Sequence, residues 1–177
     1  MTYEIKRSVE GLNPLTQLFI ETDFDDAQFI AQHYEVFSIS FFDHVLTEKE
    51  YVKASLVCYA DVKNNPIKKE QFNNIAKQFN TLYNSLYEQA SRQAFVALYN
   101  FLVPVISFEL YQRYIDNALK ERPLCCLLFP SLGCFIRIGY DLTHQCFIAK
   151  DFALSSKISA QHVKSMVIDV GLNILQR

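Results

Sequence analysis

Apolar residues recur along this chain with two different periods. From Asn65 to Lys120 they return every three or four positions, and on either side mostly every two. Asn65-Pro66 supplies a helix N-cap followed by Pro at the first helical position. Phe72, Ile75, Phe79, Leu82, Leu86 and Ala90 then fall on one face, widened by Tyr83 and Tyr87. That stripe predicts an amphipathic helix of about 25 residues. Phe95, Leu98 and Leu102 continue the helical spacing and predict a second helix that Pro104 breaks. A third is expected over 106–120, before Pro123.

Tyr34 to Phe42 alternates, with Glu35, Phe37, Ile39 and Phe41 pointing one way, and predicts a strand. Val52, Ala54, Leu56, Cys58, Ala60 and Val62 share a face and predict a second strand over 50–62; the Thr47-Glu-Lys-Glu start also suits a helix. The apolar run Leu124 to Phe129 reads as a buried strand, and Pro130 to Gly133 as a turn. Residues 134–152 form a hairpin if Asp141 to His144 make a type I turn. Tyr140 then opposes Gln145, Ile138 opposes Phe147 and Ile136 opposes Ala149. One face is apolar and the other, with Arg137 and Lys150, is half polar, as in an antiparallel sheet with one wet side.

Helices close both ends. Asn13-Pro14 caps a short one over about 14–20. Ser159 caps the last, with Ile158 and Val163 as a hydrophobic staple. Its stripe runs Val163, Met166, Val167, Val170, Ile174, with Gly171 inside at a cost of about 1 kcal/mol against Ala. The expected fold is α+β, a single domain over 1–177. An antiparallel sheet of four to five strands packs on long helices, with a mostly helical middle segment and a C-terminal helix.

Composition agrees with a folded chain: 177 residues, 50% hydrophobic, 14% aromatic and only four Gly. A net charge of −2 argues against a nucleic-acid partner. The charge is unevenly spread. Residues 1–62 hold four Lys/Arg and eleven Asp/Glu, a net −7, and the remainder carries +5. Glu21, Asp23, Asp25 and Asp26 form the densest acidic cluster, a candidate binding face for a basic partner; ordinary helix capping explains the same carboxylates. The longest apolar stretch, 94–106, is shorter than the ~20 residues of a membrane span. Five Cys, an odd count with two adjacent, and no secretory leader at Met1 to Ile5 place the chain in the reducing cytoplasm.

Asp141, His144 and Cys146 make the most enzyme-like group. A thiol nucleophile needs a base within reach, and residues two apart on a strand share a face. The turn is expected to be exposed, however, and no helix N-terminus is near to lower the thiol pKa. No catalytic residue is assigned. Cys125 and Cys126 are adjacent, so zinc-ribbon spacing is absent. A calcium loop starting at Asp23 would have Gln28 and Tyr34 where glycine and glutamate are needed. No phosphate loop occurs, and neither cofactor nor metal is expected.

The stretch Asn73-Asn74-Ile75-Ala76-Lys77-Gln78-Phe79-Asn80, and the hairpin and helix over 134–175, resemble the YbjN-like bacterial proteins. More distantly they are similar to type III secretion chaperones. In that pattern an Asn-rich helix precedes a strand pair ending in Asp, which runs into a Ser/Thr-capped helix. Asp151 and Ser159 stand in those places. Residues 81–122 depart from the pattern as an insertion. The resemblance implies a non-enzymatic domain that binds another protein, as a homodimer. Two other functions fit the residues. One is an immunity protein or antitoxin that covers a basic toxin with its acidic N-terminal face. The other is an enzyme of unrecognised family using Cys146 and His144.

Overall fold

The computed structural model describes residues 13–54, 56–62, 65–99, 101–150 and 158–175. In chain order the elements are α1 (Pro14–Glu21), α2 (Ala27–His33), β1 (Tyr34–Ser40), α3 (Glu48–Lys53), a 3-10 turn (Tyr59–Val62) and α4 (Pro66–Gln89). Then come β2 (Phe95–Leu98), β3 (Phe101–Pro104), α5 (Phe108–Leu119), β4 (Cys126–Phe129) and a 3-10 turn (Pro130–Leu132). β5 (Cys134–Arg137), β6 (Thr143–Ala149), α6 (Ala160–Asp169) and β7 (Asn173–Leu175) complete the order. The strands form one antiparallel sheet, β3-β2-β4-β5-β6-β1-β7.

The caps hold as the sequence predicts. The side chains of Asn13, Asn65 and Ser159 accept from the backbone of Leu15, Lys68 and His162. The long middle helix is α4, 24 residues, with Phe79, Leu82 and Leu86 fully buried. It packs with α5 and α6 on one face of the sheet, over Ile39, Leu127, Ile136 and Cys146. On the other face Leu15 and Phe19 of α1 cover Leu128, Phe135 and Phe147. The sheet is therefore the middle of three layers.

Among the described residues the sheet has seven strands rather than four or five. The expected strand over 50–62 is α3 and a 3-10 turn. A full capping box begins α3: Thr47 Oγ1 accepts from the Glu50 amide, and the Glu50 carboxylate accepts from the Thr47 amide at 2.8 Å. The local cap outweighs an alternation that has no strand to pair with.

The expected second helix up to Pro104 is instead the β2–β3 hairpin. Ser91 and Arg92 leave the helical region at φ 55° and 61°, which stops α4. The Val105 amide donates to Ala94 O at 2.9 Å, so Val96 and Val103 form the next hydrogen-bonded pair. Pro104 then lies on the outer edge, where its missing N–H costs no ladder bond and blocks strand addition.

The β5–β6 hairpin exists, but its register differs by three residues. Ile136 faces Cys146 and Arg137 faces Gln145, across a loop in which Asp141 and Leu142 have φ of 63° and 51°. An odd shift moves one strand's side chains to the opposite face. Helices pack on both faces, with the patch around Arg137 and Gln145 left open, so the expected contrast of one dry and one wet side gave no guide to register. The end of strand 134–152, with Asp151, lies outside the described residues.

The last helix stops earlier than its apolar stripe. Leu172 N donates to Val167 O at 3.0 Å and Gly171 N to Ile168 O at 2.9 Å, a Schellman motif with Gly171 at φ +79°. Ile174 sits in β7 opposite Ile39. Gly171 thus ends α6 instead of weakening its interior, and a Cβ there would come within 2.8 Å of Gln78 Nε2. Gly171→Ala is expected to lower stability by about 1–2 kcal/mol in urea unfolding, where a mid-helix glycine would gain about 1 kcal/mol. A gain would contradict the motif.

Candidate functional site

α1 and α2 leave part of their face of the sheet uncovered by any described helix. The floor there is a cross-strand row: Ser38 of β1 pairs with Gln145 of β6, which pairs with Arg137 of β5. Two cavities share these three residues, one of about 630 Å³ and one of about 490 Å³. They form one groove running along the strands. Phe24, Tyr34 and Phe147 line one end; Tyr51, Tyr140 and the 44–46 segment line the other.

Aromatic packing builds the first end. Phe135 stacks on Phe147 with centroids 4.5 Å apart, and Phe19, Tyr34 and Phe24 meet Phe135 edge-on at 5.0, 5.3 and 6.0 Å. The Thr22 hydroxyl donates to Leu18 O, so it accepts from the Tyr34 hydroxyl at 2.8 Å. Burial pushes that phenol up to about 12. The Arg137 guanidinium lies over the Phe24 ring, 5.0 Å from its centroid. At the second end the Tyr51 hydroxyl donates to Asp141 Oδ1 at 2.7 Å, tying α3 to the hairpin loop. The carboxylate beside it lifts the Tyr51 phenol to about 12.

The acidic cluster stands at the α1–α2 turn. Glu21, Asp23, Asp25 and Asp26 are all exposed. Three have local work: Glu21 accepts from Gln17 Nε2, Asp23 from the Asp25 amide, and Asp26 from the Phe29 amide as the cap of α2. Asp25 lines the groove.

His144 and Cys146 share a face, as their spacing requires, but they face the α4 layer and are 1% and 0% exposed. The expected exposed turn His is a core residue. Its Nδ1 meets the Tyr83 hydroxyl, and the Phe79 ring lies 4.2 Å away. Burial pulls the imidazole down to about 3 and pushes the Cys146 thiol well above its ordinary value. A thiol so placed is neither ionised nor reachable by substrate. Asp141, in the hairpin loop, is bonded to Tyr51 instead. In native protein Cys58, half-buried, is expected to react first with a thiol reagent, while Cys125, Cys126, Cys134 and Cys146 react only on unfolding. Mass mapping of the labelled sites checks this, and early labelling of Cys146 would contradict its burial.

The sequence reading found the polar face of β5 and placed Arg137 on it, but did not connect it with Ser38. The signal was there, Ser38 between Phe37 and Ile39 in one strand and Arg137 after Ile136 in another; only the register joins them. Among the described residues no group of His, Cys, Asp and Glu could hold a metal ion, and no helix is long and apolar enough to cross a membrane. Compared with protein-family models, curated proteins and solved structures, the chain has no match in any of the three.

Proposed function

We propose that this protein is a non-enzymatic module that binds another protein through the groove over Ser38, Gln145 and Arg137. The observation that carries this reading is a polar row set in a sheet face that no described helix covers. Such a row buried under a helix would need internal partners; here Arg137 and Gln145 are left open and offer donors and an acceptor to a second chain, with Ser38, 8% exposed, at the bottom of the floor. Exposed Tyr140 (62%) and Tyr51 (43%) beside it are of the type enriched at interfaces. The resemblance to YbjN-like and secretion-chaperone proteins points the same way, toward a bacterial, cytoplasmic, dimeric, chaperone-like or regulatory role.

The test is a groove plug. Gln145→Trp fills the floor from a partly exposed position. Wild type should retain a stoichiometric partner from its host's lysate, and the plugged variant, folded by circular dichroism, should not. Equal retention would remove the groove from the function.

The four exposed carboxylates of the α1–α2 turn favour a second reading, an immunity protein or antitoxin facing a basic toxin. Charge steering would make that association fall steeply with salt. Reversing Glu21 and Asp23 to Lys together would then weaken it far more than Gln145→Trp does. The enzyme reading draws no support from the buried positions of His144 and Cys146.

A further inference from the structure

Arg137 is exposed at the centre of the groove floor, with its guanidinium over the Phe24 ring. A guanidinium held over a ring still has N–H edges to offer a planar anion as a two-pronged fork, which an ammonium could not match. Among the described residues no Asp or Glu pairs with it. Other charges around the groove have contacts of their own. Asp141 accepts from Tyr51, Glu35 accepts from Lys164 Nζ at 2.7 Å, and Lys150 Nζ donates to Ala31 O at 2.6 Å. Asp25, also on the rim, has contacts beyond its backbone bond. Gln145 and Ser38, next in the row, add an amide and a hydroxyl beside the guanidinium fork.

We propose that the groove takes an extended acidic segment of the partner protein, one Asp or Glu carboxylate sitting bidentate on Arg137. The inference rests on the binding-module reading above and adds the partner's chemistry to it. The groove follows β1, whose seven residues span about 23 Å at ~3.3 Å each, room for an extended hexapeptide. Apolar side chains flanking the carboxylate would meet Phe24 and Phe147 on one side and Tyr140 on the other.

The experiment selects binders to the full chain from a random hexapeptide display library. Recovered peptides are then measured by fluorescence anisotropy against wild type, Arg137→Met, Arg137→Lys, Gln145→Trp and, as a remote control, Arg122→Met. The expected peptides carry an acidic residue. Changing it to its amide, or Arg137→Met, should weaken binding at least tenfold. Arg137→Lys keeps the charge without the fork and should lose most of that tenfold, while Arg122→Met should change nothing. Each variant's thermal midpoint checks that it folds. Peptides blocked by Gln145→Trp but indifferent to Arg137→Met would keep the groove and overturn the acidic partner. Peptides indifferent to both, or no peptides at all, would overturn the acidic partner, and indifference to the plug would remove the groove reading as well. A dimer by sedimentation that Arg137→Met dissolves would also overturn it, by showing a second copy as the occupant.

Discussion

Acidification from pH 6.5 to 4.5 is expected to remove roughly 2 kcal/mol of folding stability through His144 alone. The unfolded imidazole takes a proton near its ordinary 6.5, whereas burial holds the folded one neutral down to about 3. A depressed histidine therefore leaves stability intact above 6.5. Below that, stability falls by up to about 1.4 kcal/mol per pH unit, until the folded group titrates too. Nothing described around the ring relieves the charge: Phe79 and the Tyr83 hydroxyl pack on it, and Ile39 is its cross-strand neighbour. Carboxylates elsewhere also titrate in this window, so the measurement is a difference. Urea unfolding of wild type and of Tyr83→Phe/His144→Phe at both pH values should show the wild type losing roughly 2 kcal/mol more. Parallel losses would mean that His144 is hydrated. His144→Phe alone strands the buried Tyr83 hydroxyl and should cost about 1–3 kcal/mol at neutral pH, much of which the double variant restores.

The largest loss at neutral pH is expected from Phe135→Ala, about 3–5 kcal/mol. Phe135 is fully buried and touches four aromatic rings, from α1, the α1–α2 turn, β1 and β6. Its removal leaves a cavity that α1 and the sheet cannot both collapse into. The urea midpoint should fall without a change of slope. Phe101→Ala is the matched control: at 68% exposure it should stay within about 0.5 kcal/mol of wild type. Similar values for the two would mean that α1 does not close the second core. Because Phe24 packs on Phe135 and also lies under the Arg137 guanidinium, Phe135→Ala should weaken peptide binding as well.

Local signals were legible wherever one short segment decided the outcome. Asn65-Pro66, Ser159 and Asn13 announced their helices because a cap needs only its own first turn. The stripe from Phe72 to Leu86 announced a buried helix face for the same reason. Residues 94–104 were not legible in this way. Phe95, Leu98 and Leu102 satisfy a helical spacing, yet Val96 and Val103 also suit a strand, and Val96 finds its place between Val103 and Leu127. The same holds for Ile174, an apolar residue in helical phase that Gly171 releases to pair with Ile39.

The sequence by itself determined the helix caps, the long α4, strands within 34–42 and 124–129, and the balance of apolar and charged residues that allows a folded core. Those features depend on neighbours a few positions apart. Tertiary structure alone decided that helices pack on both sheet faces, that His144 is a core residue, and that Ser38, Gln145 and Arg137 form one row. These depend on cross-strand register. Shifting that register by one residue reverses a strand's faces while leaving its composition, charge and periodicity unchanged.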